Sequence, residues 1–181
     1  MSIAGLALAL SGSACFSADA YGNDKEQRGQ LSERDYRFVK EATRGGMSEV
    51  ELGQLAKEKG KSDSVRNFGD RMVRDHQKAN DELKSIATSK GATVPANLTR
   101  TEKSTMDKLQ NASGPEFDRQ YAATMVEDHR TDIKEFKDAA EDLKDPDLKA
   151  FAQKTIPTLE EHLRMAEDME RNVRAVSPTG R

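Results

Sequence analysis

Apolar residues recur along this chain in alternating steps of three and four, the spacing that lines one face of an α-helix. Four such stripes can be traced. The first runs through Phe38, Ala42, Gly45, Glu49, Leu52 and Ala56, and the second through Val65, Phe68, Met72, His76, Ala79, Leu83 and Ile86. Ala122, Met125, Val126, His129, Ile133, Phe136 and Ala140 form the third; Leu148, Ala152, Thr155, Leu159, His162, Ala166, Met169 and Val173 form the fourth. Helix punctuation falls between them. Ser32, with Asp35 three residues on and Leu31 and Tyr36 at the spacing of a hydrophobic staple, starts the first helix, and Gly60 ends it. The second starts at Ser62 or Asp63 and stops at Gly91. Ser113, Gly114, Pro115 and Glu116 combine a cap, a helix-compatible proline and an acidic first turn to open the third helix. Asp145 and Pro146 open the fourth, which runs toward Val173 and should kink at Pro157, just before His162.

The connections set the topology. Short joins between the first and second helices, and between the third and fourth, make two antiparallel hairpins. Ala92 to Ser113 is long enough to cross the length of a bundle; it contains Pro95 and a short helix predicted around Thr101 to Leu109. The expected fold is therefore all-α, a ferritin-like four-helix bundle over residues 32–173, with the second and third helices parallel. Residues 21–31 read as a flexible polar lead-in and 174–181 as a frayed tail.

The polar interruptions in the stripes carry the candidate chemistry. His76, His129 and His162 are all the histidines of the chain, and each sits mid-helix on an apolar stripe, as Glu49 does on the first. Their depths along the helices agree to within about three residues, about 5 Å at 1.5 Å per residue. Facing side chains at one depth are how a bundle builds a metal site. Glu49, His76, His129 and His162 are thus the expected ligands of one divalent transition metal, with zinc first and iron, copper or nickel as alternatives. The alternative is a metal-free layer in which Glu49 accepts hydrogen bonds from the imidazoles and the protein is a structural or interaction module. Asn80, Asp132 and Thr158 share faces with His76, His129 and His162 and are candidates to orient the rings. Met72, Met125 and Met165 should lie on one side of the histidine layer. Gly45, Gly46, Asn80, Asp132 and Thr158 should lie on the other. A carboxylate-bridged di-iron centre needs Glu-x-x-His on two helices, and Val73, Val126 and Leu159 stand three residues before the histidines, so ferroxidase and iron-storage functions are not inferred.

Composition narrows the class further. The 181 residues are 35% hydrophobic and 34% charged, enough for one core, with net charge −3 and no extended basic surface for nucleic acid. No Ser-His-Asp constellation, phosphate-binding glycine loop or His-Glu-x-x-His motif is present, so no enzyme class is assigned. Ile3 to Leu10 is a short apolar run followed by Ala18, Asp19 and Ala20, a pattern of a cleavable export leader over residues 1–20 that predicts a periplasmic or cell-envelope protein. Cys15, the single cysteine, would leave with that leader; the competing expectation is a lipid anchor on it.

Four segments together resemble one family: Ser48-Glu-Val-Glu-Leu-Gly-Gln-Leu-Ala56, Arg71-Met-Val-Arg-Asp-His-Gln-Lys-Ala79, Phe117-Asp-Arg-Gln-Tyr121 with Asp128-His129, and Ile156-Pro-Thr-Leu-Glu-Glu-His-Leu163. They are similar to the exported bacterial family called domain of unknown function 4142, over roughly Arg34 to Asn172. The resemblance implies a ferritin-like bundle in the bacterial envelope, often labelled an outer-membrane protein, and implies no activity.

Overall fold

A computed structural model describes residues 25–176. Four long helices and one short one account for most of them: α1 Glu33–Lys59, α2 Asp63–Ser89, α3 Arg100–Asn111, α4 Gly114–Asp142 and α5 Pro146–Val176. The expected leader, Cys15 and residues 177–181 lie outside the described residues. No strand occurs among those described, and no helix there is long and apolar enough to cross a membrane.

Local chemistry explains each boundary. Ser32 and Ser62 accept from the backbone N–H groups of Asp35 and Val65, three residues into their helices. Thr99 and Glu102 form a reciprocal capping box that starts α3. Asp145 Oδ1 accepts from the N–H groups of Asp147 and Leu148 at the start of α5. Ser113 departs from expectation. Its side chain makes no cap, and Gly114 at φ +56° with Pro115 behind it turns the chain into α4 instead. α5 passes through Pro157 without a break.

Two buried aspartates fix the topology. Asp35, near the start of α1, accepts from the Lys144 N–H in the α4–α5 turn at 2.8 Å. Asp118, near the start of α4, accepts from the N–H groups of Lys61 and Ser62 in the α1–α2 turn, each at 2.8 Å. The start of α1 therefore meets the end of α4, and the start of α4 meets the end of α1. It follows that α2 and α4 run parallel and that residues 90–113 cross the length of the bundle, the ferritin-like connectivity. Residues 25–31 do not remain a loose lead-in: Leu31 is buried, Gln30 N–H donates to the Lys90 carbonyl, and Thr93 N–H donates to that of Gln27. Burying Leu31 and closing these backbone bonds against the crossover holds the segment down.

α1 and α2 approach closely where glycine faces glycine. A Cβ on Gly53 would lie 2.8 Å from the Gly69 carbonyl oxygen, and one on Gly69 would lie 2.6 Å from that of Gly53. Inside, the core divides into two apolar clusters. One gathers Tyr36, Phe38, Leu83, Phe136, Phe151 and their neighbours; the other gathers Leu52, Phe68, Met72, Phe117, Tyr121 and Met125. The layer between these clusters is polar.

Candidate metal centre

That layer holds the three histidines. His129 and His162 are 0% and 1% exposed and His76 is 7% exposed, delivered by α4, α5 and α2 respectively. Their ring centroids are 5.4 to 5.9 Å apart. One nitrogen from each ring falls within 4.8 Å of the other two. Phe68 packs edge-on against both His129 and His162, at centroid distances of 6.2 and 6.5 Å, and forms an apolar wall.

Hydrogen bonds at the back of two rings decide which nitrogens are available. His129 Nδ1 donates to the Met125 carbonyl at 2.9 Å, one turn back on α4, leaving Nε2 bare. His162 Nε2 donates to Asp75 Oδ2 at 2.9 Å, across the α2–α5 interface, leaving Nδ1 bare. Those two atoms and His76 Nε2 are buried without a hydrogen-bond partner. An unpaired buried nitrogen costs about 1–3 kcal/mol, and three in one layer call for a common explanation.

Electrostatics keep these lone pairs free. Burial lowers the His76 pKa to about 3, helped by the neighbouring His129 and His162, and lowers His129 to about 4. His162 is also lowered by burial, although Asp75 opposes the shift. All three imidazoles are therefore neutral at neutral pH, the form that coordinates metal. Burial raises the Asp75 carboxyl, but hydrogen bonds from Arg71 and His162 outweigh it and hold the pKa below the usual value. An ionised Asp75 behind His162, itself bonded to Arg71 Nε, fixes ring orientation and makes the far nitrogen a better donor.

Metal–nitrogen bonds of roughly 2.0–2.1 Å require nitrogens about 3.4 Å apart. The nitrogens here lie within 4.8 Å of one another, somewhat wider than that. The donor set, three neutral imidazoles with bare inward nitrogens, fits a transition metal.

The expected fourth ligand stands elsewhere. Glu49 is 2% exposed on α1, but its Oε1 lies 3.8 Å from His129 Nδ1, the nitrogen already committed to Met125, and Glu49 is outside the histidine triangle. The reason is helix placement: α1 meets the back of the His129 ring. With His129 neutral this contact is no ion pair, and at 3.8 Å it is no hydrogen bond. Burial, reinforced by Asp128 and Asp132, raises the Glu49 pKa well above the usual carboxylate range. The hydrogen-bonded layer of Glu49 with the imidazoles is not formed.

The flanking residues separate as expected in part. Met72 and Met125 belong to the apolar cluster on one side of the layer and Met165 packs against it, while Gly45, Gly46, Asn80 and Asp132 line a cavity of about 30 Å³ that also touches His76. Thr158 is half-buried and is not among that cavity's lining. Among the described residues, the rings of His129 and His162 are oriented by the Met125 carbonyl and Asp75 rather than by Asp132 and Thr158. Asn80 packs on Gly46, where a Cβ would lie 2.1 Å from its Oδ1. The position of Asp75 has a simple geometric origin: a residue adjacent to a core histidine points about 100° away, which here is toward the neighbouring helix.

Fold and site together describe a ferritin-like four-helix bundle with three histidines gathered in its middle. The chain belongs to the family "Domain of unknown function (DUF4142)", whose model matches residues 22–169. Two solved structures share the fold. A DUF305 fragment from Deinococcus radiodurans aligns with TM-score 0.70 at 11% identity, covering 78% of this chain and 98% of that one. CopM in the Cu(II)-bound form aligns with TM-score 0.66 at 16% identity, covering 76% of this chain and 96% of that one. No curated protein matches the sequence.

Proposed function

We propose that this protein binds one transition-metal ion through His76 Nε2, His129 Nε2 and His162 Nδ1, and that copper is the metal. The observation that carries the reading is the convergence of three buried, neutral imidazoles whose inward nitrogens have no hydrogen-bond partner. Zinc, expected first from a set that included a carboxylate, also accepts three imidazoles, but nitrogen sites bind Cu(II) more tightly than Zn(II). The shared fold with CopM in its Cu(II)-bound form supports the same choice. Three protein ligands would leave a further coordination position beside His76, where the small cavity has room for about one water. The leader-like segment before residue 20 supports a place in the cell envelope, and metal handling there is the role we assign.

Elemental analysis of untagged protein equilibrated with an equimolar mixture of copper and zinc salts tests the reading. The expected result is close to one copper per chain, lost in His129→Ala. Zinc at that stoichiometry would overturn the choice of metal; no bound metal would overturn the site and leave the structural-module alternative.

A further inference from the structure

The histidine centre lies between two apolar clusters that close the bundle above and below it. A hydrated ion cannot pass along that axis without crossing packed side chains, so a route to the histidines has to come from the side. His76 is the most exposed of the three rings and the one that lines the cavity of about 30 Å³.

Next to that cavity is a second of about 200 Å³, walled by α1, α4 and the crossover helix α3. Four carboxylates line it, Glu49, Glu102, Asp128 and Asp132, and no lysine or arginine does. Asp128 and Asp132 make no ion pair among the described residues. Glu49 is the more telling: it lines this pocket, is 2% exposed, and its Oε2 has no hydrogen-bond partner. Four carboxyl groups around a space large enough for several waters, with no cationic side chain among them, favour a hydrated divalent cation and disfavour an anion.

Gly45 and Asp132 line both cavities. A Cβ on Gly45 would meet nothing nearer than Asp132 Oδ1 at 4.0 Å, so close helix packing does not account for that glycine. No side chain stands at Gly45, in the wall that the pocket shares with the histidine chamber.

We propose that the acidic pocket captures hydrated Cu(II) and that the ion reaches the histidines past Gly45. The inference rests on the reading of the three histidines as a copper site. Its role for the pocket is kinetic: affinity is set by the imidazoles, and the rate of loading by the carboxylates and the passage at Gly45.

Stopped-flow mixing of the apoprotein with aqueous Cu(II), read by imidazole-to-copper absorbance, measures loading; a competition titration measures equilibrium affinity. Gly45→Leu, which puts a side chain in that wall, should load at least about tenfold more slowly with affinity within about threefold of the parent. The double variant Asp128→Asn/Asp132→Asn should also load more slowly and lose much of the dependence of rate on ionic strength. If Gly45→Leu does not fold, the double variant decides. Parental loading rates in the folded variants would overturn the route while leaving the copper site intact. Failure of the parent protein to bind Cu(II) at equilibrium would overturn both.

Discussion

Each histidine is more informative in structure than in sequence because its two ring nitrogens have different partners. Periodicity alone placed His76, His129 and His162 inward at one depth, and they do meet; it could not say which nitrogen faces which way, since a backbone carbonyl and a carboxylate on another helix decide that. Glu49 shows the limit of the same reasoning: it is on the buried stripe and at the right depth, yet α1 brings it to the back of His129. The unpaired nitrogens lead to a prediction that separates a metal site from a structural layer. His76→Leu removes an unpaired buried nitrogen and supplies apolar volume, so the apoprotein should be as stable as the parent or more stable by up to about 1–2 kcal/mol in urea unfolding, while stoichiometric copper is lost. A loss of more than about 2 kcal/mol would mean that the ring serves the fold. Asp132 provides a pH test. Burial, with Asp128 and Glu135 nearby, raises its pKa to about 7. A carboxyl raised in the folded state favours folding at low pH, and that advantage is lost as pH rises from its unfolded pKa near 4 through about 7. Asp132→Asn should therefore match the parent in stability near pH 4 and exceed it by about 1–3 kcal/mol at pH 8 when measured with chelator present. Equal differences at both pH values would contradict the assignment.

At the scale of helices, most of what the sequence announced is present because caps and stripes are local. Ser32, Ser62 and the Asp145–Pro146 pair open helices at the expected places, and the crossover helix expected around Thr101 to Leu109 forms over Arg100–Asn111. What was hidden is interhelical: Asp35 reads as part of a helix start and Asp118 carries no structural signal of its own, yet both accept from main-chain N–H groups of a turn far away in the chain. The glycines of α1 divide in the same way. Gly53 is needed for close approach to α2, so Gly53→Ala should lower stability by about 1–3 kcal/mol, because the obstructing atom is a backbone oxygen. Gly45 has open space, so Gly45→Ala should raise stability by up to about 1 kcal/mol through helix propensity. Chemical denaturation of the two variants beside the parent checks both signs.

Over the described residues the molecule is a four-helix bundle whose two apolar clusters are separated by the layer that holds the three histidines. Ferritin-like connectivity puts one histidine on each of α2, α4 and α5, and uses α1 with the crossover helix to wall an acidic pocket at the side. Binding an ion to the folded state alone should stabilise the bundle. At a free copper concentration of about 1,000 times Kd the gain is about 4 kcal/mol, which for a chain of this size corresponds to a rise in Tm of about 8–16 °C. Chelator should reverse it. The most direct test of the central claim is an anomalous-scattering map, recorded at the copper edge, from crystals of the copper-loaded protein. One peak is expected inside the bundle, about 2 Å from His76 Nε2, His129 Nε2 and His162 Nδ1, with Glu49 outside the coordination sphere. A map with no peak among those three nitrogens, or with the ion held by Glu49 and surface carboxylates instead, would contradict it.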